Sequence, residues 1–164
     1  MKYLLLLFVI SSPCLLTAQN DDYRHIPVKT VDDCKKAEPL VMKAAKLVLG
    51  SPVNYSSPEL EDARIFVFSW MSGPSGFTFQ IDGTIGKISK GKNRNLYWAF
   101  MAAESRFALE NRDNAKDQKA IKMAAYNSIA VYCLKPENGV DLTKNISKFL
   151  DAYQNKKLDS YIGN

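Results

Sequence analysis

The chain has 164 residues, of which 46% are hydrophobic and 24% are charged, and its formal net charge at pH 7 is +5. This length and composition predict one folded domain and exclude a chain that is disordered throughout. The lysines are spread along the sequence, and a mild basic surplus of this kind bears on solubility rather than on fold. It does not predict a nucleic acid partner.

Residues 1–19 have the pattern of a secretory signal peptide. Lys2 gives a positive start, and an apolar run over 3–10 leads to a small and polar exit. We expect cleavage near Ala18 or Gln19, which predicts a secreted or periplasmic protein. No later apolar run approaches the roughly twenty residues that a membrane span needs, so we expect no transmembrane segment in the mature chain.

The next segment, 20–29, is polar and without a period, and we interpret it as a flexible N-terminal arm. Thr30 followed by Asp33 is a capping pattern that predicts a helix start. Apolar residues then recur at helical spacing as far as Gly50, which we expect to close this helix. Pro39 lies inside the stripe and predicts a kink or a restart.

A second helix is predicted from Ser57, because serine caps helices well and the following Pro58 suits a first turn. Residues 65–68 are β-branched and aromatic, so a strand is an alternative there. The cap and the spacing favour the helix. A glycine- and proline-containing turn follows, and then 77–81 alternates apolar and polar residues, which predicts a short extended segment or the entry to a short helix.

Three more long helices follow. The stretch 96–110 is so apolar that we expect it at the centre of a bundle, with Glu104, Ser105 and Arg106 on its solvent side. A similar pattern covers 116–134, and Asp141 is the expected cap of the last long helix. The prediction is therefore an all-α domain over 30–164, a compact bundle of five or six helices arranged as helical hairpins.

Cys34 and Cys133 are the cysteines that follow the predicted signal peptide. An even count in an oxidising compartment predicts a disulfide bond between them, and both lie on apolar stripes. This places the first helix against the 116–134 helix. The alternative is two separate buried thiols that act as small apolar groups.

No pattern of catalytic residues is apparent. His25 is the only histidine and falls in the predicted arm, away from any partner that would position it as a base. We therefore expect no catalytic residue, no metal site and no cofactor. The alternative is a small hydrolase that depends on carboxylates, with Glu104 beside Trp98 and Arg106 as its centre.

Two groups of residues are candidates for binding. Trp70, Phe77 and Phe79 flank the turn near 73–76, and they either pack as a helix corner or line a groove for a peptide or glycan. Trp98 of the 96–110 helix is the fourth candidate residue of this groove. A basic loop follows, and it offers a site for an acidic polymer or is simply solvated; it contains Lys87, Lys90, Lys92 and Arg94.

The order Trp70-Met71-Ser72-Gly73, then Phe79 with Asp82, and later Tyr132-Cys133 before Pro136, resembles a group of short secreted helical proteins from the Bacteroidota. The resemblance covers most of the chain after the signal peptide and implies no activity. The helix pairs also resemble tetratricopeptide hairpins weakly, although no period near 34 residues is visible.

From these features we expect an exported, non-catalytic interaction or scaffold protein of the cell envelope. Its partner would be another envelope protein or a peptide. The carboxylate-dependent hydrolase and the binder of acidic polymers through 87–94 are the alternatives.

Overall fold

The computed structural model describes residues 22–114 and 116–162, with the side chain of residue 114 left out, so the predicted signal peptide and its cleavage site lie outside the described residues. Within this part of the chain all regular structure is helical and no strand occurs, which confirms the all-α prediction. There are five long helices and two short ones: α1 (Val31–Gly50), α2 (Pro58–Ser72), α3 (Gly83–Ile88), α4 (Leu96–Glu110), α5 (Gln118–Leu134), α6 (Lys144–Gln154) and α7 (Leu158–Ile162).

Helix starts follow from local capping chemistry. The Thr30 hydroxyl accepts a hydrogen bond from the Asp33 backbone N–H, while the Asp33 carboxylate accepts one from the Thr30 N–H. The Ser57 hydroxyl accepts from the Leu60 N–H and so caps α2. Both predicted starts are confirmed. The strand alternative for 65–68 is wrong, because these residues continue α2.

Two predicted boundaries need correction. Helix α1 runs through Pro39 without a restart. The last long helix is capped by Thr143, whose hydroxyl accepts from the Ile146 N–H, and not by Asp141. Asp141 is engaged elsewhere, because its backbone N–H and carbonyl both bond to the side chain of Asn93.

Helix α4 occupies the centre of the bundle, as predicted. It packs against α1 and α2 on one side and against α5 on another. The described residues form two large apolar clusters and a small third one, in which Ala108 of α4 meets Ile121 of α5. One large cluster contains residues of α1 and α2 with Ala102 of α4, and the other joins α4 to α3, α5, α6 and α7.

The predicted disulfide bond between Cys34 and Cys133 is wrong. Both thiols are free and buried. Cys34 belongs to the cluster of α1 and α2, whereas Cys133 belongs to the cluster of α5 and α6. Because α4 packs between α1 and α5, the pairing of those two helices that the bridge assumed does not form.

The described part of the predicted arm is anchored on α2. Tyr23 is buried and its ring stacks on that of Phe66, with 5.4 Å between centroids. Arg24 forms an ion pair with Asp62 at 2.7 Å. Burial of a tyrosine ring offsets the entropy of ordering a short segment, so residues 22–28 follow the bundle. None of the helices in 22–162 is long and apolar enough to cross a membrane.

An extended strap, which we define as residues 73–82, connects α2 to α3. Its first residue, Gly73, lies so close to the N-terminal segment that a Cβ atom there would be 2.6 Å from the Val28 carbonyl oxygen. Phe77 and Phe79 of the strap cover Trp70, with ring centroids at 5.6 and 5.9 Å. The predicted extended segment at 77–81 is therefore present, and its aromatic rings close the apolar core.

Candidate functional site

A cleft of about 1000 Å³ lies between the loop before α2 and the loop before α4. We call it the cleft. Polar groups, two cations and two aromatic rings line it: Asn54, Ser56, Glu61, Ser89, Gly91, Lys92, Arg94, Asn95, Tyr97 and Trp98. This combination of ring surface with hydrogen-bonding and charged groups is typical of a ligand-binding site.

The loop before α4 is held in place by contacts from distant parts of the chain. The buried Asn93 side chain donates to the Asp141 carbonyl at 2.7 Å and accepts from the Asp141 N–H at 2.9 Å. Asn95 donates to the Val53 carbonyl at 2.7 Å. Gly91 has a φ of +60°, which few other residues adopt readily. The cleft is therefore a preformed feature of the fold.

The cations of the cleft are available to a ligand. Lys92 and Arg94 are exposed, and neither side chain forms an ion pair or hydrogen bond with the rest of the described chain. Lys87 and Lys90 belong to the same predicted basic loop and are also exposed, but they do not line the cleft. The structure thus divides the predicted basic patch into two pairs.

The single acid in the cleft is already neutralised. Glu61 accepts from the buried Arg64 guanidinium at 2.5 Å and from the Ser56 hydroxyl at 2.9 Å. Arg64 also donates to the Tyr55 carbonyl at 3.4 Å. This arrangement fixes the wall of the cleft and leaves the positive charge of Lys92 and Arg94 uncompensated.

The predicted aromatic site is distributed over three environments. Trp70 is fully buried and its indole N–H donates to the Cys34 carbonyl at 3.0 Å, so it is a core residue. Phe77 and Phe79 are half-buried over it. Trp98 is half-buried in the cleft, and its ring meets that of Phe68 edge to face at 6.4 Å.

An apolar groove of about 260 Å³ lies where α2, α4 and the strap meet. We call it the groove. Its members are Phe68, Met71, Ser72, Phe79, Ile81 and Met101. Phe68 and Ile81 expose 46% and 42% of their surfaces, and Ile65, one turn before Phe68 on α2, exposes 56%. Exposed apolar residues that adjoin one another mark candidate interaction surfaces.

Titratable residues also gather under the strap, away from the cleft. Glu104 was predicted on the solvent side of its helix together with Ser105, and this is wrong, because both are completely buried. The position is shielded because α4 is covered on several sides by other helices. Arg106 is exposed and pairs with Glu110 at 3.0 Å, so it does not accompany Glu104.

Burial dominates the chemistry of the Glu104 carboxyl. Neither oxygen has a hydrogen-bond partner among the described residues. Desolvation raises the pKa of Glu104 to about 8. The Asp82 carboxylate adds to this rise, while the Gln80 backbone N–H, which lies nearby without hydrogen-bond geometry, and Lys122 act against it. At neutral pH the group therefore holds its proton.

Asp82, the last residue of the strap, collects the remaining contacts of this region. It accepts from the Tyr126 hydroxyl at 2.5 Å and from the Thr84 N–H at 2.8 Å, and Lys122 lies 3.5 Å away. Burial, aided by Asp82, raises the pKa of Tyr126. We refer to the buried Glu104 and Tyr126, together with the half-buried Asp82 and Lys122, as the buried cluster.

Sequence reasoning missed Arg64 and the buried cluster as a unit. A signal existed for Arg64, because it falls four residues after Leu60 and three before Val67, within the buried stripe of α2. Tyr126 and Lys122 likewise lie four residues apart, on one side of α5. Their meeting with Asp82 depends on the path of the strap, which has no local signature.

Among residues 22–114 and 116–162, no group of three or more histidine, cysteine, aspartate or glutamate residues is placed to hold a metal ion. Burial raises the pKa of both cysteine thiols, to about 12 for Cys133, which keeps them protonated and unreactive. No protein-family model, curated protein or solved structure matches the chain.

Proposed function

We propose that this chain is an exported, non-catalytic interaction protein of the cell envelope that binds an acidic partner in the cleft. The observation that carries the proposal is the pairing of two uncompensated cations, Lys92 and Arg94, with the half-buried rings of Tyr97 and Trp98 in a preformed depression. Export rests on the signal-peptide pattern of residues 1–19.

Charge supports an acidic ligand. An ion pair with an exposed cation contributes about 0.2–1 kcal/mol, so two such pairs give modest affinity and allow reversible binding. Arg94 offers a planar guanidinium that suits carboxylates, and Lys92 adds a flexible second charge.

The aromatic residues add contact area at low entropic cost. Tyrosine and tryptophan have few rotatable bonds, so fixing them on binding loses little conformational entropy. Trp98 is already oriented by its contact with Phe68. The hydrogen bonds of Asn93 and Asn95 hold the loop in place before the ligand arrives, which lowers the cost of association.

The arrangement of carboxylates supports a binding role rather than catalysis. Glu61, the acid in the cleft, is paired with Arg64 and Ser56. Glu104 and Asp82 line neither the cleft nor the groove. A general acid must reach the substrate atom that it protonates, and a completely buried carboxyl does not.

One observation supports the hydrolase alternative: the pKa of Glu104 is raised, and shifted pKa values are common among active-site residues. It requires the strap to move away so that a substrate reaches Glu104. Loss of a hydrolytic activity of the purified protein in a Glu104→Gln variant, with binding in the cleft unchanged, would favour the hydrolase.

The test of the proposed function is binding of fluorescently labelled polyglutamate to the purified mature chain at low ionic strength. Replacing both Lys92 and Arg94 by glutamine is expected to weaken binding by about two- to thirtyfold. The matched control replaces Lys87 at the end of α3 and Lys90 just after it by glutamine, which removes the same charge from neighbouring positions outside the cleft. Equal loss in both double variants, or no binding by the wild type, contradicts the proposal.

A further inference from the structure

We infer that the acidic partner is a protein segment in which apolar side chains adjoin the acidic ones, and that its apolar part lies in the groove. This inference rests on the proposed function and specifies the partner of the same surface. It is carried by the adjacency of the cleft and the groove, because Trp98 of the cleft contacts Phe68 of the groove along the line where α2 packs against α4, which we call the seam.

Helix α2 connects the two depressions along one face. Glu61 lines the cleft, Phe68 and Ser72 line the groove, and Ile65 lies between them. These positions are separated by four, three and four residues, so they form one stripe on the helix.

Helix α4 supplies the opposite side of the seam. Trp98 lines the cleft, and Met101, three residues later, lines the groove. The ring of Trp98 meets that of Phe68 edge to face, so a residue of the cleft contacts a residue of the groove directly. An occupant of the cleft therefore meets apolar surface as soon as it extends past Trp98.

The dimensions fit a short peptide. Eleven residues separate Glu61 from Ser72, and at a rise of about 1.5 Å per residue the stripe is roughly 16 Å long. An extended peptide advances about 3.3 Å per residue, so about five residues cover it.

The two ends of the surface have different chemistry, and the partner must match both. Lys92 and Arg94 attract acidic groups at the cleft, whereas Ile65, Phe68 and Ile81 present exposed hydrocarbon along the seam. Covering such surface gains free energy only with an apolar ligand. An acidic glycan satisfies the cleft and leaves the groove uncovered, so the surface favours a peptide.

The experiment compares three labelled probes: the peptide Ac-EEEGLFSLG-amide, the acid-only peptide Ac-EEEGSSSSG-amide, and oligogalacturonate. The first peptide is expected to bind the wild type about tenfold more tightly than the second, because it alone buries apolar area in the groove. Replacing Phe68 and Ile81 together by serine is expected to reduce its affinity to that of the acid-only peptide.

The matched control replaces Val131 and Leu142 by serine, since both are exposed apolar residues outside the seam. This variant is expected to keep the tenfold preference, and unchanged circular dichroism and unfolding midpoints verify that each variant folds. Equal affinity for the two peptides overturns the inference while the proposed function stands. Tighter binding of oligogalacturonate than of either peptide overturns it in favour of a glycan. If no probe binds, the proposed function fails and the inference fails with it.

Discussion

The cleft and the buried cluster both place charged groups beside aromatic rings around α4, but they use them differently. In the cleft, Lys92 and Arg94 are exposed and have no partner among the described residues. In the buried cluster, by contrast, the single carboxylate of Asp82 has three partners: Tyr126, Thr84 and Lys122. Solvent access therefore decides the role of a charge here: exposed charge is available for binding, and enclosed charge contributes to stability.

The largest expected effect that distinguishes the buried cluster from the cleft is the pH dependence of stability caused by Glu104. Its pKa is about 8 in the folded chain against an ordinary value of 4.5, so the folded state holds the proton more tightly than the unfolded state. The contribution of the protonated Glu104 carboxyl to the free energy of unfolding is then fully present below about pH 4.5 and is lost as pH rises toward 8. We expect the wild type to lose roughly 4 kcal/mol between pH 5 and pH 9 relative to a Glu104→Gln variant, which cannot ionise.

Urea unfolding at a series of pH values measures this difference. Parallel curves for the wild type and the Glu104→Gln variant would contradict the buried, protonated state of Glu104. Binding of polyglutamate at pH 7 is the companion measurement, and it is expected to be the same for both proteins.

The second effect concerns Asp82. Replacing it by alanine removes the acceptor for the Tyr126 hydroxyl, the cap of α3 and the partner of Lys122. We expect a loss of about 3 kcal/mol in the free energy of unfolding. The control is Asp159→Ala, which breaks an ion pair with Lys119 that is mostly exposed and is expected to cost under about 0.5 kcal/mol. Similar losses in both variants would show that the buried cluster is not a stabilising unit.

The third effect is the response to salt. The cleft acts through exposed cations, so raising the salt concentration from about 50 to 500 mM is expected to weaken polyglutamate binding about tenfold by screening. The contacts of the buried cluster are less accessible to ions, and the urea midpoint should change little over the same range. Binding that is insensitive to salt would argue against a role for Lys92 and Arg94.

The smallest effect tests whether the exposed side chains of the seam contribute to the stability of the fold. Ile65 and Phe68 expose 56% and 46% of their surfaces, so replacing either by serine is expected to change the free energy of unfolding by no more than about 1 kcal/mol. Urea unfolding of the single variants measures it. A loss of several kcal/mol would show that these side chains belong to the core.

The sequence predicted those features that depend on neighbours along the chain. The starts of α1 and α2 follow from Thr30 and Ser57, because a cap needs only a hydroxyl and a nearby backbone N–H. The central position of α4 follows from its apolar composition. The start of α6 was misplaced because Asp141 and Thr143 are both good caps, and the choice is made by Asn93 from a distant loop.

The candidate site was less predictable, because it is assembled from separate segments. The sequence indicates Lys92, Arg94 and Trp98 as separate candidates. The cleft that brings them together exists only because Asn93 and Asn95 attach their loop to Asp141 and to Val53. Glu104 was placed in solvent because charged residues in an apolar helix usually face water. Its burial follows from how the strap and α5 cover α4, which no short pattern encodes.

Because Cys34 and Cys133 lie on different sides of α4, their two thiols report on the unfolding of different parts of the bundle. Each thiol is enclosed in a different half of the bundle, and burial suppresses its reactivity in both places. Modification by an alkylating reagent therefore follows the local opening of each half. The ratio of the two alkylation rates shows whether the cluster that contains Cys34 and the cluster that contains Cys133 unfold together or one before the other.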